Sequence, residues 1–127
     1  MSRKIIKPAN APIPVGPYNQ AVSTGSLVFS SGQIPFYPVT GAVVGNNIKE
    51  QTEQVLKNLQ AVLAGAGTSF DNAVKMTVFL KDMNDFAVMN EVYAKYILAE
   101  NAPARSTIQV ARLPKDALVE IEAVAII

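Results

Sequence analysis

A chain of 127 residues has the length of one domain, with half of its residues hydrophobic and 17% charged; so low a charged share predicts that a symmetric homo-oligomer covers part of the apolar surface. The net charge is +1, and the lysines (Lys4, Lys7, Lys49, Lys57, Lys75, Lys81, Lys95 and Lys115) form no block, which weighs against dedicated nucleic-acid binding. Cysteine and histidine are both absent; this excludes disulfides, thiol nucleophiles, Ser-His and Cys-His triads and the usual zinc sets, and leaves acid–base work to Glu, Asp, Tyr, Lys, water or the substrate.

Met1 to Ile6 is basic but lacks the apolar stretch of a signal peptide, and no apolar run is long enough to span a bilayer. The expected location is the cytoplasm, or an organelle if a transit peptide has been removed. Residues 1–17, with Pro8, Pro12, Pro14 and Pro17, read as extended chain. Tyr18 to Ser23 and Leu27 to Ser31 read as two short strands around a Thr24-Gly25-Ser26 turn. Gly32 then relieves a bend or lets another group approach the backbone.

A helix is predicted from Asn47, which has capping-box spacing to Glu50. Val55, Leu56, Leu59, Val62, Leu63 and Ala66 form its apolar face, and Gly65 and Gly67 end it. Ala73 to Leu80 reads as a central strand. Asn84 or Asp82 caps a second helix with the stripe Phe86, Met89, Tyr93 and Ile97, and Asn90 lies in or beside that stripe. After Pro103, strands are expected over 105–111 and 117–127, joined by a turn around Pro114. The order ββ-α-β-α-ββ predicts an α+β sandwich, a single domain over 1–127, with two helices on one face of a mixed sheet.

The last strand holds charge in an apolar setting. Alternation puts Leu118, Glu120, Glu122, Val124 and Ile126 on one side. A buried carboxylate needs a partner or a proton, and two at i and i+2 can repel and raise the pKa of one of them. One of the two can orient or deprotonate a water; equally, both can lie in solvent or pair with a cation. Arg105, sharing a face with Thr107 and Gln109, either grips a substrate carboxylate through two parallel hydrogen bonds or pairs internally with Glu120 or Glu122. Tyr18 is a hydrogen-bond donor in a pocket or an ordinary amphipathic tyrosine. The glycines form no phosphate-binding fingerprint, and Ser30 and Ser31 have no histidine to activate them.

Six segments in order carry a resemblance across almost the whole chain: Gly16-Pro17-Tyr18-Asn19-Gln20-Ala21-Val22; Ser31-Gly32-Gln33-Ile34-Pro35; Val74 to Asp82; Asn84-Asp85-Phe86 with Asn90; Pro103-Ala104-Arg105-Ser106; and Ala111 to Asp116 running into Glu120-Ile121-Glu122-Ala123. Together they resemble the reactive intermediate deaminase (YjgF) family. The resemblance implies a chorismate-mutase-like fold of the bacillar type and a homotrimer whose sheets form a central barrel with a pocket at each subunit interface. It implies hydrolysis of small 2-imino or 2-enamino acids, such as 2-aminoacrylate, 2-iminopropanoate and 2-iminobutanoate, to 2-oxo acids and ammonia, with no cofactor and no metal. The implied roles are the substrate carboxylate for Arg105 and the attacking water for Glu120, with Tyr18 beside them. Ser31, Gly32, Asn90 and Thr107 are implied around the substrate. Thr107 departs from the pattern, since many members carry cysteine there. Family members have also been described as ribonucleases, translation inhibitors and chaperone-like proteins. The alternative is therefore a non-enzymatic small-carboxylate-binding or regulatory protein of the same fold.

Overall fold

The computed structural model describes residues 2–127. Six strands form one sheet in the order β1-β2-β3-β6-β4-β5, and two helices pack against it and against each other. The strands are β1 (Lys4–Ile6), β2 (Ala21–Ser23), β3 (Leu27–Ser30), β4 (Ala73–Leu80), β5 (Ala104–Gln109) and β6 (Val119–Ile126); the helices are α1 (Ile48–Gly65) and α2 (Phe86–Tyr96). Only β4 and β5 run parallel, and α2 lies in the connection between them, as a parallel crossover requires. The α+β class with a mixed sheet and two helices is as the sequence pattern predicts.

Three local expectations need correction. The proline-rich start is not merely extended: Lys4–Ile6 pairs antiparallel with β2 and adds an edge strand. The Tyr18–Ser23 strand starts only at Ala21, because Tyr18 N–H donates back to the Gly16 carbonyl in a tight turn. The strand expected over 105–111 runs Ala104–Gln109, and the turn that follows joins it to β6 without pairing the two, since β6 enters between β3 and β4 and leaves β5 at the edge.

The helix ends follow the chemistry of their residues. Asn47 Oδ1 accepts from the Glu50 backbone N–H at 2.9 Å, satisfying one of the otherwise unpaired donors of α1. Gly67, in the left-handed region at φ 80°, closes the other end, with its N–H on the Ala64 carbonyl and that of Thr68 on the Leu63 carbonyl. Asp82, rather than Asn84, caps the entry to α2: it accepts from Asn84 N–H at 2.9 Å, across a single 3₁₀ turn.

The core fills the layer between helices and sheet. Val55, Leu56, Leu59, Val62 and Leu63 of α1 meet Met76, Val78 and Leu80 of β4 and Val119, Ile121 and Ala125 of β6, all fully buried. The other face of the sheet carries no helix. There Phe29 is 45% exposed, Ile108 44% and Ile126 49%, so an apolar surface stands open on a single chain. None of the helices is long and apolar enough to cross a membrane among the described residues.

Candidate functional site

Register decides where the two conspicuous charges go. Glu120 lies opposite Phe79 and Glu122 opposite Thr77, while Arg105 lies opposite Met76. Residues 76 and 79 project to opposite sides of β4. Arg105 therefore leaves the sheet on the helix side, and Glu120 and Glu122 leave it on the open side. An ion pair between Arg105 and either glutamate within one chain is ruled out, and the one salt bridge among the described residues joins Arg112 to Asp116 on the surface.

The carboxylate side is built from three pieces of chain. Glu120 projects from β6 into a cavity of about 400 Å³ whose walls include Val15, Tyr18, Ser31, Gly32 and Phe36. Gly32 leaves room for the carboxylate: a Cβ at this position would overlap Glu120 Oε2, so a larger residue would require the Glu120 side chain to move from this position. Burial pushes the Glu120 carboxyl above its ordinary range, and the neighbouring Glu122 charge pushes it further the same way. The expected repulsion between the two carboxylates thus acts on Glu120, second to burial.

Two hydroxyls in this cavity have different freedom. Ser31 Oγ donates to the Asn19 carbonyl at 2.5 Å, so its proton is engaged in holding the turn. Tyr18 Oη accepts from the Val15 backbone N–H at 3.3 Å, which leaves the phenolic proton free to donate into the cavity. Lys115 also lines it, from a left-handed backbone conformation at φ 57° that a lysine rarely adopts.

The guanidinium side is built by β5 and α2. Arg105 lies with its guanidinium carbon 4.6 Å from the Tyr93 ring centroid and 5.5 Å from that of Phe86. Its Nη1 donates to Asn90 Oδ1 at 2.8 Å. The spacing Phe86–Asn90–Tyr93 sets all three on one helix face, where two π-faces and an amide oxygen hold the cation in one orientation. No carboxylate pairs with Arg105 among the described residues, so most of its five donors remain available. A second cavity of about 430 Å³ opens beside it, lined by Asn90, Tyr93, Ile97, Pro103 and Arg105. Thr107 shares this face, and its Oγ1 is buried with no hydrogen-bond partner.

One chain thus collects the sequence-predicted residues into two groups, Glu120 with Tyr18, Ser31 and Gly32, and Arg105 with Asn90 and Thr107, and sets the groups on opposite faces. The sequence reading missed the aromatic seat of Arg105, because helical spacing marked Phe86 and Tyr93 as core; Phe86 is in fact 37% exposed. It also missed Val15 and Lys115, whose place depends on how the loops return.

The fold and these groups define a protein of the Rid type, a small α+β chain of the YjgF, chorismate-mutase-like architecture. The sequence profile of the family described as Endoribonuclease L-PSP matches residues 8–127. A RutC family protein of Pyrococcus horikoshii is 54% identical, with 97% of each chain covered. A Salmonella typhimurium protein named 2-iminobutanoate/2-iminopropanoate deaminase is 49% identical, again with 97% of each chain covered. The crystal structure of E. coli TdcF with bound serine superimposes with a TM-score of 0.91 at 48% identity, covering 98% of both chains. The chain belongs to the Rid/YjgF/L-PSP (RutC) family.

Proposed function

We propose that this chain hydrolyses small 2-imino acids and their 2-enamino tautomers, such as 2-aminoacrylate, 2-iminopropanoate and 2-iminobutanoate, to 2-oxo acids and ammonia, in sites completed between copies in a homotrimer. The observation that carries this reading is Glu120: a carboxyl held half-buried in an apolar cavity, with its proton affinity raised and no cation paired to it. A carboxyl with raised proton affinity suits proton exchange with a water or a substrate nitrogen. A free guanidinium seated on aromatic rings suits a substrate carboxylate. Their placement on opposite faces, together with the apolar open sheet face, supports a second copy bringing its Arg105 side to the Glu120 side of the first.

Arg105 holds the substrate carboxylate and fixes the direction from which C2 is approached. An enamine takes a proton at C3 and becomes the imine. The imine nitrogen takes a proton from solvent; Glu120 then accepts a proton from water as the water oxygen bonds to C2 and the C2=N electron pair moves onto nitrogen, giving a carbinolamine. Glu120 returns that proton to the nitrogen and, as the C2–N bond breaks and C2=O forms, takes the hydroxyl proton, so the 2-oxo acid and ammonia leave. The Tyr18 phenol donates a hydrogen bond to the atom on which charge builds. The deaminase name of the Salmonella relative and the serine held by TdcF both fit a site for an amino-acid-like molecule. Nothing in this chemistry calls for a cofactor or a metal.

The test is to generate 2-aminoacrylate with a serine dehydratase and follow 2-oxo acid release with and without the chain. Faster release supports the proposal. Release at the uncatalysed rate, with tight binding of a 2-oxo acid, would move the assignment to the non-enzymatic carboxylate-binding alternative.

A further inference from the structure

We propose that the buried amides of Gln20 and Gln33 are positioning residues that seat Gly32 against Glu120 and set the wall of the Glu120 cavity; this rests on the proposed use of Glu120. Gln20 is 6% exposed and Gln33 2%, and neither touches the cavity's reacting end. Gln33 Nε2 donates to Gln20 Oε1 at 2.7 Å and to the Ser31 carbonyl at 3.3 Å. Gln20 Nε2 in turn donates to the Pro12 carbonyl.

This chain of bonds has one direction. Pro12 and Ser31 offer carbonyl oxygens, which only accept, so each glutamine must turn its nitrogen toward them. With its nitrogen on Pro12, Gln20 must present its oxygen to Gln33, and the Gln33 nitrogen meets it. No alternative arrangement of the two amides satisfies all three contacts.

Backbone bonds complete the frame. Gln33 N–H donates to the Ile121 carbonyl at 2.8 Å, and Ile121 N–H donates to the Gln33 carbonyl at 3.1 Å. The residue after Glu120 is thereby locked to the residue after Gly32. Ser31 N–H donates to the Gln20 carbonyl at 2.8 Å. The amide pair therefore ties the segment preceding Val15 to the turn carrying Ser31 and Gly32, and the backbone of Gln33 ties that turn to the strand carrying Glu120. Hydrophobic packing of the same volume would hold these pieces together, but only directional bonds fix their offset along the strand. The carboxylate of Glu120 sits against the backbone at Gly32, in space that a Cβ there would occupy, so a shift in that offset moves the wall against which the carboxylate rests.

The test uses Gln33→Met, which removes the donor at similar length, and Gln33→Glu, which keeps the shape and sets an acceptor against Gln20 Oε1. Folding and assembly are checked by circular dichroism and sedimentation. In a folded variant, kcat for 2-aminoacrylate should fall on the order of 10- to 100-fold through misplacement of Glu120, with KM nearly unchanged because Arg105 is untouched. Carbon-13 NMR should show the Glu120 carboxyl titrating closer to the ordinary carboxylate range than in the parent. Parental kcat with a parental Glu120 titration in either folded variant overturns the proposal. Failure of both variants to fold also overturns it, in favour of a purely structural pair. A parent chain that does not hydrolyse 2-aminoacrylate overturns the proposed function instead, and the titration then decides the positioning role alone.

Discussion

The two faces of the sheet treat their charges in opposite ways. On the open face Glu120 is crowded by Gly32 and by a second carboxylate, and its charged form is disfavoured. On the helix face Arg105 is cradled by two aromatic rings and an amide oxygen that favour its charge and leave donors unused. One face stores a tunable proton acceptor and the other a fixed cation. Kept apart within a chain, they cannot neutralise each other as a simple ion pair. On the proposed function, the separation preserves both reactivities until a second copy brings them to a shared substrate.

Removing the carboxylate should break this arrangement most severely. Glu120→Ala is expected to lower kcat about 10²- to 10⁴-fold, the usual range for a general base, while equilibrium binding of a 2-oxo acid is largely kept. Arg105→Ala is expected to lower kcat/KM roughly 100-fold, from about 3 kcal/mol of charge-assisted hydrogen bonding. Stopped-flow kinetics in the dehydratase-coupled assay measures both.

Stability should depend on pH through Glu120. The folded chain holds the Glu120 proton more tightly than the unfolded chain. The stability this contributes is present below the unfolded pKa and is lost as the pH rises through the folded one. Glu120→Gln should therefore raise the denaturant midpoint at neutral pH, measured at fixed chain concentration; a lower midpoint would contradict the burial assigned to this group. The smallest expected effect is that of Glu122→Gln. Removing its charge should move the acidic limb of the kcat/KM profile to lower pH, with the plateau retained, because Glu122 is the lesser cause of the raised Glu120 pKa.

Much of the fold was legible in the chain. The alternation around Glu120, the Asn47 cap and the glycine stop at Gly67 each state a local rule that the structure obeys. The pairing of Lys4–Ile6 with β2 and the insertion of β6 between β3 and β4 were not legible, because they depend on contacts distant in sequence. For the site, the residue types were legible but not their faces. Alternation places Arg105 and Glu120 relative to their own strands only, and the register of both with β4 is what sets them apart. Phe86 and Tyr93 illustrate the same limit, since helical spacing finds a stripe without saying whether a core or a cation lies beneath it.

Complementation between inactive chains tests the shared site most directly. Arg105→Ala and Glu120→Ala chains, co-expressed with different tags and purified as mixed assemblies, are compared with each variant alone. In a closed three-fold ring, every mixed trimer regains one complete site of its three, so the purified mixed assemblies should show roughly one third of the parental activity. Mixed assemblies no more active than the separate variants would contradict a site divided between copies.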